Sequence, residues 1–298
     1  MYYTDFSTYM QRKFPGEKVQ KISVNAGFSC PNRDGTIGTG GCIYCDNSSF
    51  TPGYCFRHKD IASQLNAGKD FFAGKYPKMK YLAYFQSFSN TFGRSVDELE
   101  AMYREAMGVE GIVGLIIGTR PDTLPDKVVD MLARLNEEMP VIVELGAESS
   151  HDSTLALINR GHSWHDVEDA ISRLSRKGIS VGLHLIAGLP GENEEMILQT
   201  VKRAVALPIE SIKLHHLQVL RNTSLEELIN DGKVEVSPFE VENYIDLCIK
   251  IINLVPQNIA IERFLASSPP EKVVMPKWGL KNYEFTNMLN KRLRSGKD

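Results

Sequence analysis

Three of the chain's five cysteines fall within sixteen residues, in the stretch Cys30-PNRDGTIGTGG-Cys42-IY-Cys45. Eleven residues separate the first pair and two the second. A CxxC turn brings two thiolates close enough to share a metal centre. Gly35, Gly38, Gly40 and Gly41 give the loop a backbone permissive enough to fold the third cysteine back onto them. Three chemistries fit this pattern. The thiolates can bind three irons of a 4Fe–4S cluster and leave the fourth open to a substrate. Cys55 or His58 can complete a structural zinc site. The CxxC can be a redox dithiol. A zinc ribbon normally has two CxxC knuckles, and here there is one. Cys55 reads as a spare thiol near the loop. Cys248 lies on an apolar helical stripe and reads as core.

The elements that must position these thiols alternate between strand and helix. Strands are expected at Lys18–Val24, Met79–Gln86, Ile112–Ile117, Pro140–Leu145, Ile179–Ala187 and Ser211–Leu217, from short apolar runs bounded by turn residues. Helices are expected at Ile61–Tyr76, Val96–Met107, Trp164–Lys177 and Glu194–Ala206. A further helix begins near Pro125, with Val128, Val129, Leu132 and Leu135 on one face. Gly178 caps the Trp164 helix. Val241, Tyr244, Ile245, Cys248, Ile251, Ile252 and Val255 form a last apolar stripe. Six βα units in series imply parallel strands with helices outside, a partial (β/α)6 TIM-like barrel. Residues 1–235 form this barrel with its cysteine loop, and 236–298 a C-terminal extension of a helix and a basic tail. Function should lie at the carboxyl ends of the strands, where the cysteine loop falls.

Composition bounds the partners. The 298 residues are 42% hydrophobic and 24% charged, as in a globular protein. With 37 acidic and 34 basic residues, the net charge of −3 excludes a wholly basic nucleic-acid coat but not a local patch. No apolar run approaches a membrane span, and the opening MYYTDFSTYMQRKF lacks the apolar core of a signal peptide. An odd number of cysteines fits a disulfide scaffold poorly, so a reducing cytoplasm is expected.

The cysteine triplet, with the aromatic Tyr44 before its last member and a βα series after it, resembles the radical S-adenosylmethionine (SAM) superfamily. The usual signature there is CxxxCxxC. The first gap here is lengthened, as in the radical SAM domain of the elongator catalytic subunit. The segments FQSFSNTF (85–92), GTRPD (118–122), ELGAE (144–148), LINRGH (157–162), HLIAGLPGE (184–192) and KLHHLQVLRNTSL (213–225) carry the resemblance across residues 15–285. Together they look like the family near the elongator subunit and oxygen-independent coproporphyrinogen oxidase.

That resemblance implies a 4Fe–4S cluster on Cys30, Cys42 and Cys45, with SAM on its open iron, yielding a 5′-deoxyadenosyl radical. In place of a GGE-type loop, backbone carbonyls of this segment with Gln86, Ser87, Ser89 or Thr91 would meet the amino group of SAM. Glu148 would accept hydrogen bonds from the ribose, and Arg160 would pair with the carboxylate. His184 is a ribose contact or a satisfied core histidine. Tyr44 would lie near the adenine, and Leu189 in the Gly188–Gly191 turn would shape its floor.

Substrate candidates are His216, Arg263, Trp278 and Lys281. Alternation at the strand end sends His216 away from His215, and Trp278 can equally be a lid packed over the barrel. The basic tail (Lys277, Lys281, Lys291, Arg292, Arg294, Lys297) can dock phosphates or simply face water. The resemblance favours transfer RNA, with trimming of carboxymethylaminomethyl to aminomethyl at the wobble uridine and a flavodoxin or ferredoxin as electron donor. The alternatives are radical chemistry on a small molecule or tetrapyrrole, and a zinc-stabilised binding module without turnover.

Overall fold

The structure, a computed structural model, describes residues 2–49, 51–73 and 78–296. In chain order its strands are β1 (Thr4–Asp5), β2 (Val19–Val24), β3 (Lys80–Phe85), β4 (Ile112–Thr119), β5 (Val141–Glu148), β6 (Ser180–Ala187), β7 (Ser211–His216), β8 (Val219–Leu220), β9 (Ala260–Arg263) and β10 (Val273–Met275). Eight of these form one all-parallel sheet, ordered β2-β3-β4-β5-β6-β7-β9-β1. β8 and β10 make a separate antiparallel pair. The six expected strands are present and adjacent in sequence order. The sheet is wider than six because β9, from the C-terminal segment, pairs with β7, and β1 pairs with β9. Two and four residues are too few for a periodic signal, which is why neither strand stands out in the sequence.

The helices are α1 (Phe6–Lys13), α2 (Gly53–Arg57), α3 (Ile61–Ala73), α4 (Val96–Met107), α5 (Asp126–Glu138), α6 (Asp152–Leu157), α7 (Trp164–Arg176), α8 (Glu194–Val205), α9 (Ser224–Asn230), α10 (Val241–Leu254) and α11 (Asn282–Ser295). Residues 74–76, expected to end the third of these, lie outside the described residues. Local chemistry sets the starts. Ser95 and Glu98 form a capping box on α4, as do Ser163 and Asp166 on α7. Pro125 is the N-cap of α5, and Gly178 follows α7 in the left-handed conformation.

Alternation along each strand divides the interior in two. Outward residues such as Val143, Leu145, Val181 and Leu183 pack under the helices in the main core. Cys248 of α10 is fully buried there. The inner face is layered. At the amino ends of the strands, Tyr9 and Met10 of α1 pack against Leu82, Tyr84, Ile116, Ile142 and Ala260, with Phe6 and Phe14 beside them. α1 therefore stoppers the half-barrel from below. Above this apolar plug the inner face turns polar, and at the carboxyl ends it opens into a cavity of about 860 Å³.

Candidate active site

The cysteine loop closes over the carboxyl ends by hydrogen bonds to the segment after α6. Asn32 donates to the carbonyl of Asn159, Asn159 donates to the carbonyl of Gly41 at 2.8 Å, and the Ile43 amide meets the Ile158 carbonyl at 3.1 Å. Gly41 sits at a φ of +83°, and a Cβ there would stand 2.8 Å from Arg33 Nε. Only glycine lets the loop pass this close to Arg33, whose guanidinium holds the Cys45 carbonyl at 2.7 Å.

Cys30, Cys42 and Cys45 line one cavity, together with Tyr44, Gln86, Glu148, Arg160 and His184. Burial and the neighbouring Cys42 push the Cys45 thiol up to about 11 while Arg33 opposes them. Arg160 is the hub. One Nη lies 3.4 Å from Cys42 Sγ. The other donates to the Gly146 carbonyl at 2.7 Å and lies 3.4 Å from Glu148 Oε1. Glu148 ends β5 with a φ of +64°, beside a register shift in the β5–β6 pairing. A carboxylate-bearing residue held in this region is typical of functional strain. Tyr44 is held above its ordinary phenol range by burial first, then by Glu148 and Cys42.

These residues fit the group that the sequence pattern implies. Arg160 Nε is a buried donor with no partner, and Glu148 and Arg160 converge beside the thiols. The zinc alternative finds no support: Cys55 is buried with its thiol 3.4 Å from the Ser23 carbonyl, and neither it nor His58 lines the cavity. Among the described residues no three Cys, His, Asp or Glu side chains stand close enough together to hold a single ion. Cluster ligands each reach a separate iron, so they need no such grouping.

Other expected contacts lie elsewhere. Ser89 and Thr91 are buried in a hydroxyl network with Thr119 and Thr123, and Ser87 pairs with Thr51 at 3.0 Å. Their oxygens satisfy one another and do not reach the cavity wall. Gln86 does reach it, accepting from Ser23 at 3.0 Å. Leu189 is a core residue, packed with Ile43, Ile158 and Leu217. His216 borders the cavity, but its ring stacks on Trp278 at 4.3 Å in the outer layer. Trp278 gives its indole N–H to the Phe239 carbonyl at 3.0 Å and packs on Tyr244. It covers α10 and α11 rather than the barrel mouth. Lys281 is the exposed N-cap of α11. In the tail, Arg292 pairs with Asp246 at 3.1 Å; Lys297 lies outside the described residues. Of the four substrate candidates, Arg263 alone presents a charged group to the cavity.

A buried ionic layer between plug and cavity was not foreseen. Glu144 accepts from Lys21 at 2.7 Å, Lys213 at 2.6 Å and Tyr84 at 2.7 Å, and pairs with His184 Nε2 at 2.6 Å. Lys21 also meets Glu262 at 2.5 Å. Burial alone would raise the Glu144 carboxyl, but Lys21, Lys213 and His184 outweigh it and hold it well below its usual range. Burial depresses the Lys213 ammonium to about 8 despite Glu144. His184 is thus tied to Glu144 through Nε2, as a satisfied histidine would be, although its side chain also borders the cavity.

Residues 32–204 match the model of the radical SAM superfamily, and 209–295 that of the radical SAM C-terminal domain. The chain is 34% identical over 287 residues to the protein YtqA of Bacillus subtilis, covering 96% of this chain and 88% of YtqA. It is 29% identical over 165 residues to a tRNA uridine(34) acetyltransferase of Methanocaldococcus infernus, covering 54% of this chain and 30% of that protein. The solved structure of the Elp3 protein of the same archaeon superposes with a TM-score of 0.72 at 20% identity, covering 94% of this chain and 63% of that one.

Proposed function

Because the chain belongs to the radical SAM superfamily, whose enzymes use a 4Fe–4S cluster and SAM, we propose that Cys30, Cys42 and Cys45 hold the cluster and that the enzyme modifies transfer RNA at wobble uridine side chains. The observation that carries the site is the convergence of the three cysteines, Arg160 and Glu148 on one cavity at the strand ends. When bound, the cluster and SAM would supply radical chemistry able to take a hydrogen atom from an unactivated carbon. Arg160, a planar fork, takes the SAM carboxylate. Glu148 accepts from the ribose hydroxyls, and Tyr44 and Gln86 border the nucleoside. The α1 plug closes the chamber at the amino ends of the strands, leaving the mouth at the carboxyl ends as its entrance.

The substrate reading is conversion of carboxymethylaminomethyl to aminomethyl on the wobble uridine, with the base flipped out of its stack into the cavity. The partial similarity to tRNA uridine(34) acetyltransferases supports a tRNA partner. A flavodoxin or ferredoxin supplies the electron. All five cysteines are free, and among the described residues no helix is long and apolar enough to cross a membrane. We place the enzyme in the cytoplasm, where thiols stay reduced.

Anaerobically purified protein should carry about four irons per chain. Replacing Cys42 and Cys45 with Ala should abolish formation of 5′-deoxyadenosine; retained cleavage refutes the site. Mass spectrometry of tRNA nucleosides from cells lacking the protein tests the substrate. Accumulated carboxymethylaminomethyl uridine is the expected result, and an unchanged profile removes the RNA reading.

A further inference from the structure

We propose that Arg263 is the anchor of a substrate subsite that takes a carboxylate with an N–H donor beside it. The proposal rests on the reading of this cavity as the reaction chamber. Arg263 ends β9 at the carboxyl edge of the sheet, in register with Lys213 of β7. The two cations are neighbours with opposite fates. Lys213 is matched by Glu144 at 2.6 Å. Among the described residues Arg263 has no carboxylate within ion-pair distance, and its guanidinium donates to Ser267 Oγ at 3.2 Å. The acids nearest in the wall are engaged elsewhere. Glu262 accepts from Lys21 and Ser211, and Glu144 from Lys21, Lys213 and Tyr84. A guanidinium remains protonated at any working pH, so its charge is left for a ligand to meet.

Its surroundings extend the specification. His215 Nε2, Gln218 Oε1 and Asn282 Oδ1 are buried polar atoms without a partner, and all three residues line the same cavity as Arg263. Native proteins leave few such atoms, and several lining one cavity call for an explanation that a bound ligand supplies. Two are amide oxygens, which accept and therefore call for N–H or O–H donors. A guanidinium fork suits a carboxylate. Amide oxygens lining the same cavity would repel the further oxygens of a phosphate, so the cavity favours a carboxylate carried with an amine.

The test uses the full chain with cluster reconstituted and SAM bound, without reductant. N-benzylglycine presents a carboxylate, an N–H and a flat ring without any nucleoside; its methyl ester removes the negative charge while keeping the N–H and the ring. Isothermal titration should show the acid binding at least about tenfold more tightly than the ester. Arg263→Gln should erase that preference and Arg263→Lys should restore part of it. Equal binding of acid and ester to the unaltered protein, absence of acid binding, or a preference that survives Arg263→Gln overturns the subsite. Inorganic phosphate that displaces the acid at equal concentration overturns the choice of carboxylate. The comparison of acid with ester needs no variant, so a misfolded Arg263→Gln protein leaves the test intact. Production of 5′-deoxyadenosine by the unaltered, reduced protein is read separately. Its loss sinks the radical reading, whereas its presence with indifferent binding sinks the subsite alone.

Discussion

His216 shows what burial does to a single titratable group. Its ring is wedged against Trp278 and Tyr244, and burial lowers its pKa to about 4. The unfolded chain takes up this proton from about pH 6.5 downward, and the folded chain refuses it until about pH 4. Between those limits the unfolded state binds more protons. Stability therefore falls as the medium is acidified, by up to about 1.4 kcal/mol per pH unit for this group. His216→Phe keeps the stack and should flatten that slope in urea unfolding between pH 7 and pH 5. It should not abolish it, because His162 is lowered to about 4 in the same way by burial and Arg160. An unchanged slope would remove His216 as a source. The cysteines stood out in the sequence because a CxxC turn brings thiolates together, but spacing left cluster, zinc site and redox dithiol open until the downstream segments were added. Lys21, Glu144 and Lys213 did not. Lys21 and Lys213 are the lone lysines of their strands and Glu144 sits mid-strand in an apolar run, which normally means a solvent-facing side chain, and only the curl of the sheet turns that face inward.

At the scale of elements, β5 is the member most closely fitted to the site. Its outward side is apolar throughout, and its inward side reads Ile142, Glu144, Gly146, Glu148, running from the plug through the ionic layer to the cavity. A Cβ on Gly146 would stand 2.5 Å from Arg160 Nη2 and 2.7 Å from Glu148 Oε1. Gly146→Ala should push Arg160 away from Cys42 while the fold persists. Iron content and 5′-deoxyadenosine yield should fall together by about tenfold, a displaced charge-assisted contact being worth that much, with the circular dichroism spectrum unchanged. Loss of neither would show that Arg160 positions nothing here. The strands themselves were readable from their apolar runs. The hydroxyls of Ser89 and Thr91 misled because sequence gives the polarity of a loop but not which of its side chains bond to one another.

For the whole molecule, the part hardest to foresee was α1. Its hydrophobic residues do not join the outer ring; they fill the narrow end of the sheet's inner surface. Met10 is 2% exposed at that point. Met10→Asp should cost more than about 3 kcal/mol, because a carboxylate would be placed in the apolar plug among Tyr9, Leu82, Tyr84, Ile116 and Ile142. A chemical denaturation midpoint close to that of the unaltered protein would mean that the plug carries no stability. The stopper also governs traffic. On the proposed reading, a chamber stoppered at its lower end fills and empties through its mouth, so a bulky substrate seated there would have to depart before the nucleoside behind it could be exchanged.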